Sequence, residues 1–178
     1  MIFKNSFLFL KKKIRSLYLN SGIYNKKISS YNDNSLGYRP SPSLLDCLIK
    51  YKKKKINIEN YSLDEIWVDQ KLIKKDYNNL NSFFWLFSLD LKSSKKETQN
   101  IISQWIEKNS EYNSTCWEID IIAKRIIAWI SNSKLTYEDG GPVYRNKFNN
   151  IIKKQINHLI NEIEKDEWVD NKMIGCAA

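Results

Sequence analysis

Between residues 119 and 130 the apolar side chains fall three and four positions apart, at Ile119, Ile122, Ala123, Ile126, Ile127 and Ile130. Residues so spaced share one face of an α-helix, and here the face is broad. A stripe of that width must be covered, which commits the surrounding chain to packed layers of secondary structure. The flanking sequence supplies them as helices. Phe83, Phe84, Trp85, Leu86, Phe87, Leu89 and Leu91 are dense enough for a buried helix. Ser94-Lys95-Lys96-Glu97 has capping-box spacing, a Ser followed three residues later by Glu, and opens a helix carrying Ile101, Ile102, Trp105 and Ile106. Gly140-Gly141-Pro142 precedes a longer helix with Phe148, Ile152, Ile156, Leu159 and Ile163. Pro142 stands near its first turn, where a missing N–H is harmless. Asp166 to Asp170 breaks that helix, and Asn171 to Ala178 reads as the first turns of another, apolar and rich in small residues. Four helices with short connectors and the start of a fifth predict an all-α fold with antiparallel neighbours, either a bundle or part of a helical-hairpin array. Trp85, Trp105, Ile122, Ile126 and Trp129 are expected to be largely buried.

Residues 1–59 read differently, as a poorly structured leader. The first 19 are weakly helical, and Phe3 to Leu19 has two readings: a helix packed on the domain, or an amphipathic helix touching lipid. Its lysines, Lys11-Lys12-Lys13, follow the apolar run, whereas a secretory signal places its charge first. Residues 20–43 have connector composition, with Gly22, Asn25, Asn32, Gly37, Pro40 and Pro42. Residues 50–55 are a lysine run broken only by Tyr51, and residues 56–78 are expected to form short extended or irregular pieces. No apolar stretch reaches 18 residues, so no transmembrane span is expected.

The chain carries 29 Lys+Arg against 20 Asp+Glu, a net charge of +9, which gives it a long-range attraction for anionic partners. Specific nucleic-acid binding is not expected, because no Gly-rich phosphate loop, finger spacing or other nucleic-acid module is present. Cys47, Cys116 and Cys176 are far apart and form no disulfide framework. One histidine and no Cys-x-x-Cys leave no zinc motif, and no cofactor or metal is expected.

The segment from Ser114 to Ile130 is richest in candidate chemistry. Trp117 precedes the helix, Trp129 follows twelve residues later, and Arg125 lies between them. Trp117 and Arg125 could line a groove for an anionic or sugar-like ligand, since Arg grips a carboxylate with two parallel hydrogen bonds. Equally, Arg125 could anchor its helix against a neighbour. His158, between Asn157 and Leu159, reads as a boundary or surface residue. Asp166 and Glu167 read as a solvated turn rather than as a carboxylate pair facing across a sugar.

Three stretches resemble the N-terminal part of the heparinase II/III-like family of polysaccharide lyases and their relatives. Leu80-Asn81-Ser82-Phe83-Phe84-Trp85-Leu86 is similar to the family's L-H-x-F-x-W-L helix. Trp105-Ile106, Trp117 and Lys124-Arg125-Ile126-Ile127-Ala128-Trp129-Ile130 resemble W-x-P-Y-x-x-x-x-R-I-x-N-W-I, with Ile119 and Asp120 at the Pro-Tyr pair. Gln155 to Glu164 and then Asn171-Lys172-Met173-Ile174 resemble the long helix and the G-N-H-L-x-x-N that follows it. The resemblance implies that residues 60–178 are part of an α/α toroid, incomplete here and without the C-terminal β-sandwich of full-length relatives. Those relatives cleave uronic-acid-containing polysaccharides by β-elimination. Their active-site Asn, which neutralises the uronate carboxylate, matches Asn171, while Lys172 stands where they have His. The catalytic Tyr and second His would lie beyond Ala178. The expectation is therefore a lyase lineage with an anionic polysaccharide as partner, little activity in this chain alone, and self-association through the last helix. Such a function suits the periplasm or envelope, whereas the sequence by itself, with no convincing signal, reads as cytoplasmic. The rival expectation is a small basic helical module that binds an anionic polymer or a partner protein.

Overall fold

A computed structural model describes residues 2–30, 74–89 and 95–178, and the described residues are all-α. Helix α1 is Ile2–Leu19, α2 is Gly22–Ser29 and α3 is Lys74–Asn81. A 3-10 turn at Phe84–Ser88 leads toward α4, Lys95–Asn109. Then come α5 (Ile119–Ser131), the single turn α6 (Ser133–Thr136), α7 (Pro142–Glu162), a 3-10 turn at Ile163–Lys165, and α8 (Val169–Ala177). Ser94 of the capping box, the 50–55 lysine run and residues 56–73 lie outside the described residues, while residues 74–78, expected to be irregular, are helical as the start of α3.

Helix α5 is the hub, packing against α3, α6, α7, α8 and the first 3-10 turn. That position explains why apolar residues occupy more of its circumference than one stripe: Ile121 and Ala128 are buried along with Ile122 and Ile126. The core centres on aromatic rings. Trp129 meets Phe83 at 5.1 Å, Phe148 at 5.2 Å and Trp105 at 5.6 Å between ring centroids. Two of these contacts are edge-to-face, the arrangement ring quadrupoles favour. Trp105, Ile122, Ile126 and Trp129 are fully buried, as their spacing predicts. Trp85 is only half-buried. It stacks on Phe83 at 5.5 Å and donates its indole N–H to the Leu80 carbonyl at 3.2 Å.

Two local readings need correction. The aromatic run from Phe83 does not form a regular buried helix. Phe83 itself adopts φ 54°, uncommon for a residue with a side chain, and the chain continues as a five-residue 3-10 turn. The break lets Phe83 drop fully into the Trp105–Trp129 cluster. Within the 20–43 connector, residues 22–29 are helical. The Ser21 hydroxyl caps that helix by accepting from the Tyr24 amide at 3.2 Å. Tyr24 and Ile28 are fully buried, and α2 packs on α7. Leu19, Tyr24 and Ile28 of the leader thus belong to the same core.

Helix α8 closes on α5 through Gly175. A Cβ there would stand 2.7 Å from the Cδ1 of Ile163 and 3.5 Å from the Cγ2 of Ile119. Gly175→Val is therefore expected to cost about 1–3 kcal/mol through overpacking. A thermal melt of the variant checks this; an unchanged Tm would contradict the close approach.

Candidate functional site

One cleft of about 480 Å³ opens where α1, the α4–α5 loop, the end of α7 and the start of α8 converge. Its inner wall is aromatic. Trp117 is 1% exposed, held by an indole N–H donated to the Asn109 carbonyl at 3.3 Å. His158 is 3% exposed and sits among Tyr112, Trp117 and Tyr24, at 5.4, 5.6 and 5.9 Å between centroids. Its Nδ1 is hydrogen-bonded to the Tyr24 hydroxyl at 2.9 Å. Burial among these rings disfavours the imidazolium and pushes His158 down to about 4. The same burial pushes the hydroxyls of Tyr24 and Tyr112 above the ordinary tyrosine range. The surface reading of His158 is thereby corrected: a polar residue on the core side of α7 is tolerated because Tyr24, supplied by α2, satisfies it.

The outer wall is charged, and its charges are paired. Arg15 of α1 bonds Glu162 of α7, which also accepts from Lys165 at 2.8 Å. Burial alone would raise the Glu162 carboxyl, but the hydrogen bonds from Lys165 and Arg15 outweigh it and hold the carboxyl below its usual range. Lys12 pairs with Glu167 at 3.0 Å and Lys74 with Glu118 at 3.5 Å, both at the solvent edge. Asp166 accepts from the Trp168 amide at 2.7 Å and from the Asn171 side-chain amide at 3.2 Å. This is the solvated turn expected at Asp166 and Glu167, and it positions Asn171 on the first turns of α8. Trp168 stands at the rim with 72% of its surface exposed.

Of the three residues singled out from sequence, Trp117 and Asn171 line this cleft, 54 positions apart in the chain (171 − 117). Arg125 does not. It is fully buried, with its guanidinium 4.0 Å from the Trp105 ring centroid. It donates to Gln155 Oε1 at 3.1 Å, the Asn81 carbonyl at 2.8 Å and the Cys116 carbonyl at 3.1 Å. The groove reading of Arg125 gives way to the packing one, because every side of its fork is already occupied by protein. Arg125 instead joins α3, α5, α7 and the loop that carries Trp117. Sequence reasoning missed Lys12, Arg15, Tyr24, Glu162 and Trp168 as cleft or cleft-supporting residues. Lys12 and Arg15 lie about 150 positions from their partners, and no local spacing announces such a pair.

Among the described residues no group of three His, Cys, Asp or Glu could hold a metal ion, and no helix is long and apolar enough to cross a membrane. Buried Cys116 has its thiol pushed up to about 11 by desolvation, so it stays protonated near neutral pH. No protein-family model, no curated protein and no solved structure matches the chain.

Proposed function

We propose that this chain is a saccharide-binding helical domain of heparinase II/III-like lineage, with uronate-bearing sugar as its ligand class and no β-elimination activity of its own. The observation that carries the reading is the convergence of Asn171, Trp117 and the exposed indole of Trp168 on one polar cleft. An exposed indole offers an apolar platform for a sugar ring. Lys12, paired with Glu167 in an exposed bridge, can exchange that partner for a ligand carboxylate at little cost.

The chemistry of the cleft argues against elimination. A general base works best with a pKa near the operating pH. His158 is neutral but enclosed, with Nδ1 committed to Tyr24. Tyr24 and Tyr112 are both shifted away from neutrality. The Asn171 amide is bonded to Asp166, an anion that a substrate carboxylate would have to displace.

Calorimetric titration with oligouronates should give saturable binding, and Trp168→Ala should weaken it about tenfold, since the apolar indole surface that a sugar ring covers is worth on the order of 1.4 kcal/mol. The ultraviolet absorbance of unsaturated uronate should not rise with enzyme time. Equal affinity of wild type and Trp168→Ala would overturn the binding mode; a strong rise in absorbance would overturn the assignment of no catalysis.

A further inference from the structure

Helix α1 is held on the domain by Arg15, which reaches the buried Glu162, and by Leu19, which is buried, while Lys12 pairs with Glu167 at the solvent edge. Leu10, Ile14 and Leu17 point away from the protein, 54%, 59% and 67% exposed. At about 100° per residue, the order around the outer side is Lys13, Leu17, Leu10, Ile14, Tyr18, Lys11. An apolar band is thus flanked on each edge by an exposed lysine, with the exposed Phe9 lying just beyond Lys13. Soluble domains cover such a band, because helices are normally mounted apolar side inward.

We propose that the outer face of α1 is a docking surface for an anionic lipid bilayer, with the helix lying in the plane of the interface. The geometry matches what such a surface requires. The apolar row enters the boundary between headgroups and acyl chains, and the bordering lysines reach back to lipid phosphates. Charge complementarity favours this occupant over a neutral apolar partner: the two edge lysines belong to a chain of net charge +9. The Arg15–Glu162 ion pair and the buried Leu19 hold the helix with this face outward. The cleft, whose wall includes Lys12 and Arg15 on the opposite side of α1, would then open alongside the membrane rather than into it.

The test is co-sedimentation of the full chain with phosphatidylcholine vesicles, with and without about one-third phosphatidylglycerol. Binding is expected to the anionic vesicles only, and to fall steeply as salt rises. Leu10→Asn with Leu17→Asn should reduce it at least tenfold, and Lys11→Gln or Lys13→Gln about fivefold each. All four side chains are exposed, so the variants should keep the wild-type Tm, which separates lost docking from lost folding. Failure to bind anionic vesicles, equal binding to neutral ones, or an unaffected leucine double variant would overturn the proposal. So would a stable dimer in lipid-free solution that the leucine variant dissociates, because the face would then belong to a second copy.

Discussion

Arg125→Ala is expected to lower stability by about 3–5 kcal/mol, which for a domain of this size is a large part of the total. The loss has two sources. Two main-chain carbonyls, of Asn81 and Cys116, would lose their donor inside the core, at about 1–3 kcal/mol each when nothing replaces it. A cavity would also open against the Trp105 ring. A third effect runs the other way. All three hydrogen-bond acceptors of Arg125 are neutral, and burial pushes its guanidinium down to about 9, so the folded state carries an expensive charge. Arg125→Met keeps much of the volume and removes that charge, and should therefore lose less than Arg125→Ala. Urea midpoints for the two variants decide it. An alanine variant within about 1 kcal/mol of wild type would mean that Arg125 does not hold α3, α5, α7 and the Trp117 loop together.

His158 should make the fold acid-sensitive. Its folded pKa of about 4 lies below the ordinary value of 6.5. As pH falls through 6.5 the unfolded chain gains a proton that the folded chain refuses. The full stability is present above 6.5 and is progressively lost down to about 4, where both states are protonated. The difference corresponds to about 3 kcal/mol. Carboxylates also titrate in the acid range, so the useful quantity is the wild type compared with His158→Phe. Denaturation at pH 7.5 and pH 4.5 should show a smaller acid loss in the variant. Identical pH dependence would indicate that the imidazole can be protonated in place.

The helices were legible where burial is one-sided or total and local spacing reports it. Ile119 to Ile130 announced α5, and the turn at Asp166 to Asp170 announced the start of α8. The 3-10 turn after Phe83 was not legible, because the same aromatic density serves a buried helix and a ring inserted from a left-handed residue. Helix α2 was hidden by Gly22 and Asn25 in an otherwise turn-like composition. Its cap, Ser21, and its anchors, Tyr24 and Ile28, become meaningful only against α7. The cleft divides in the same way. Trp117 and Asn171 were reachable from motifs, and Arg125 drew attention for the right reason, a cation among tryptophans, but its neighbours are carbonyls rather than a ligand. His158 lost its apparent surface role to a tyrosine 134 positions away. Contacts of that range leave no periodic trace in a single sequence.

The claim that the cleft binds a uronate-bearing sugar is tested most directly by amide and indole chemical-shift changes on titration with a short oligouronate. The account predicts saturable shifts at Trp168, Asn171, Lys12 and Arg15, with Leu10 and Leu17 on the far side of α1 unmoved. Shifts absent from these residues, or scattered over exposed lysines and abolished by modest salt, would contradict it.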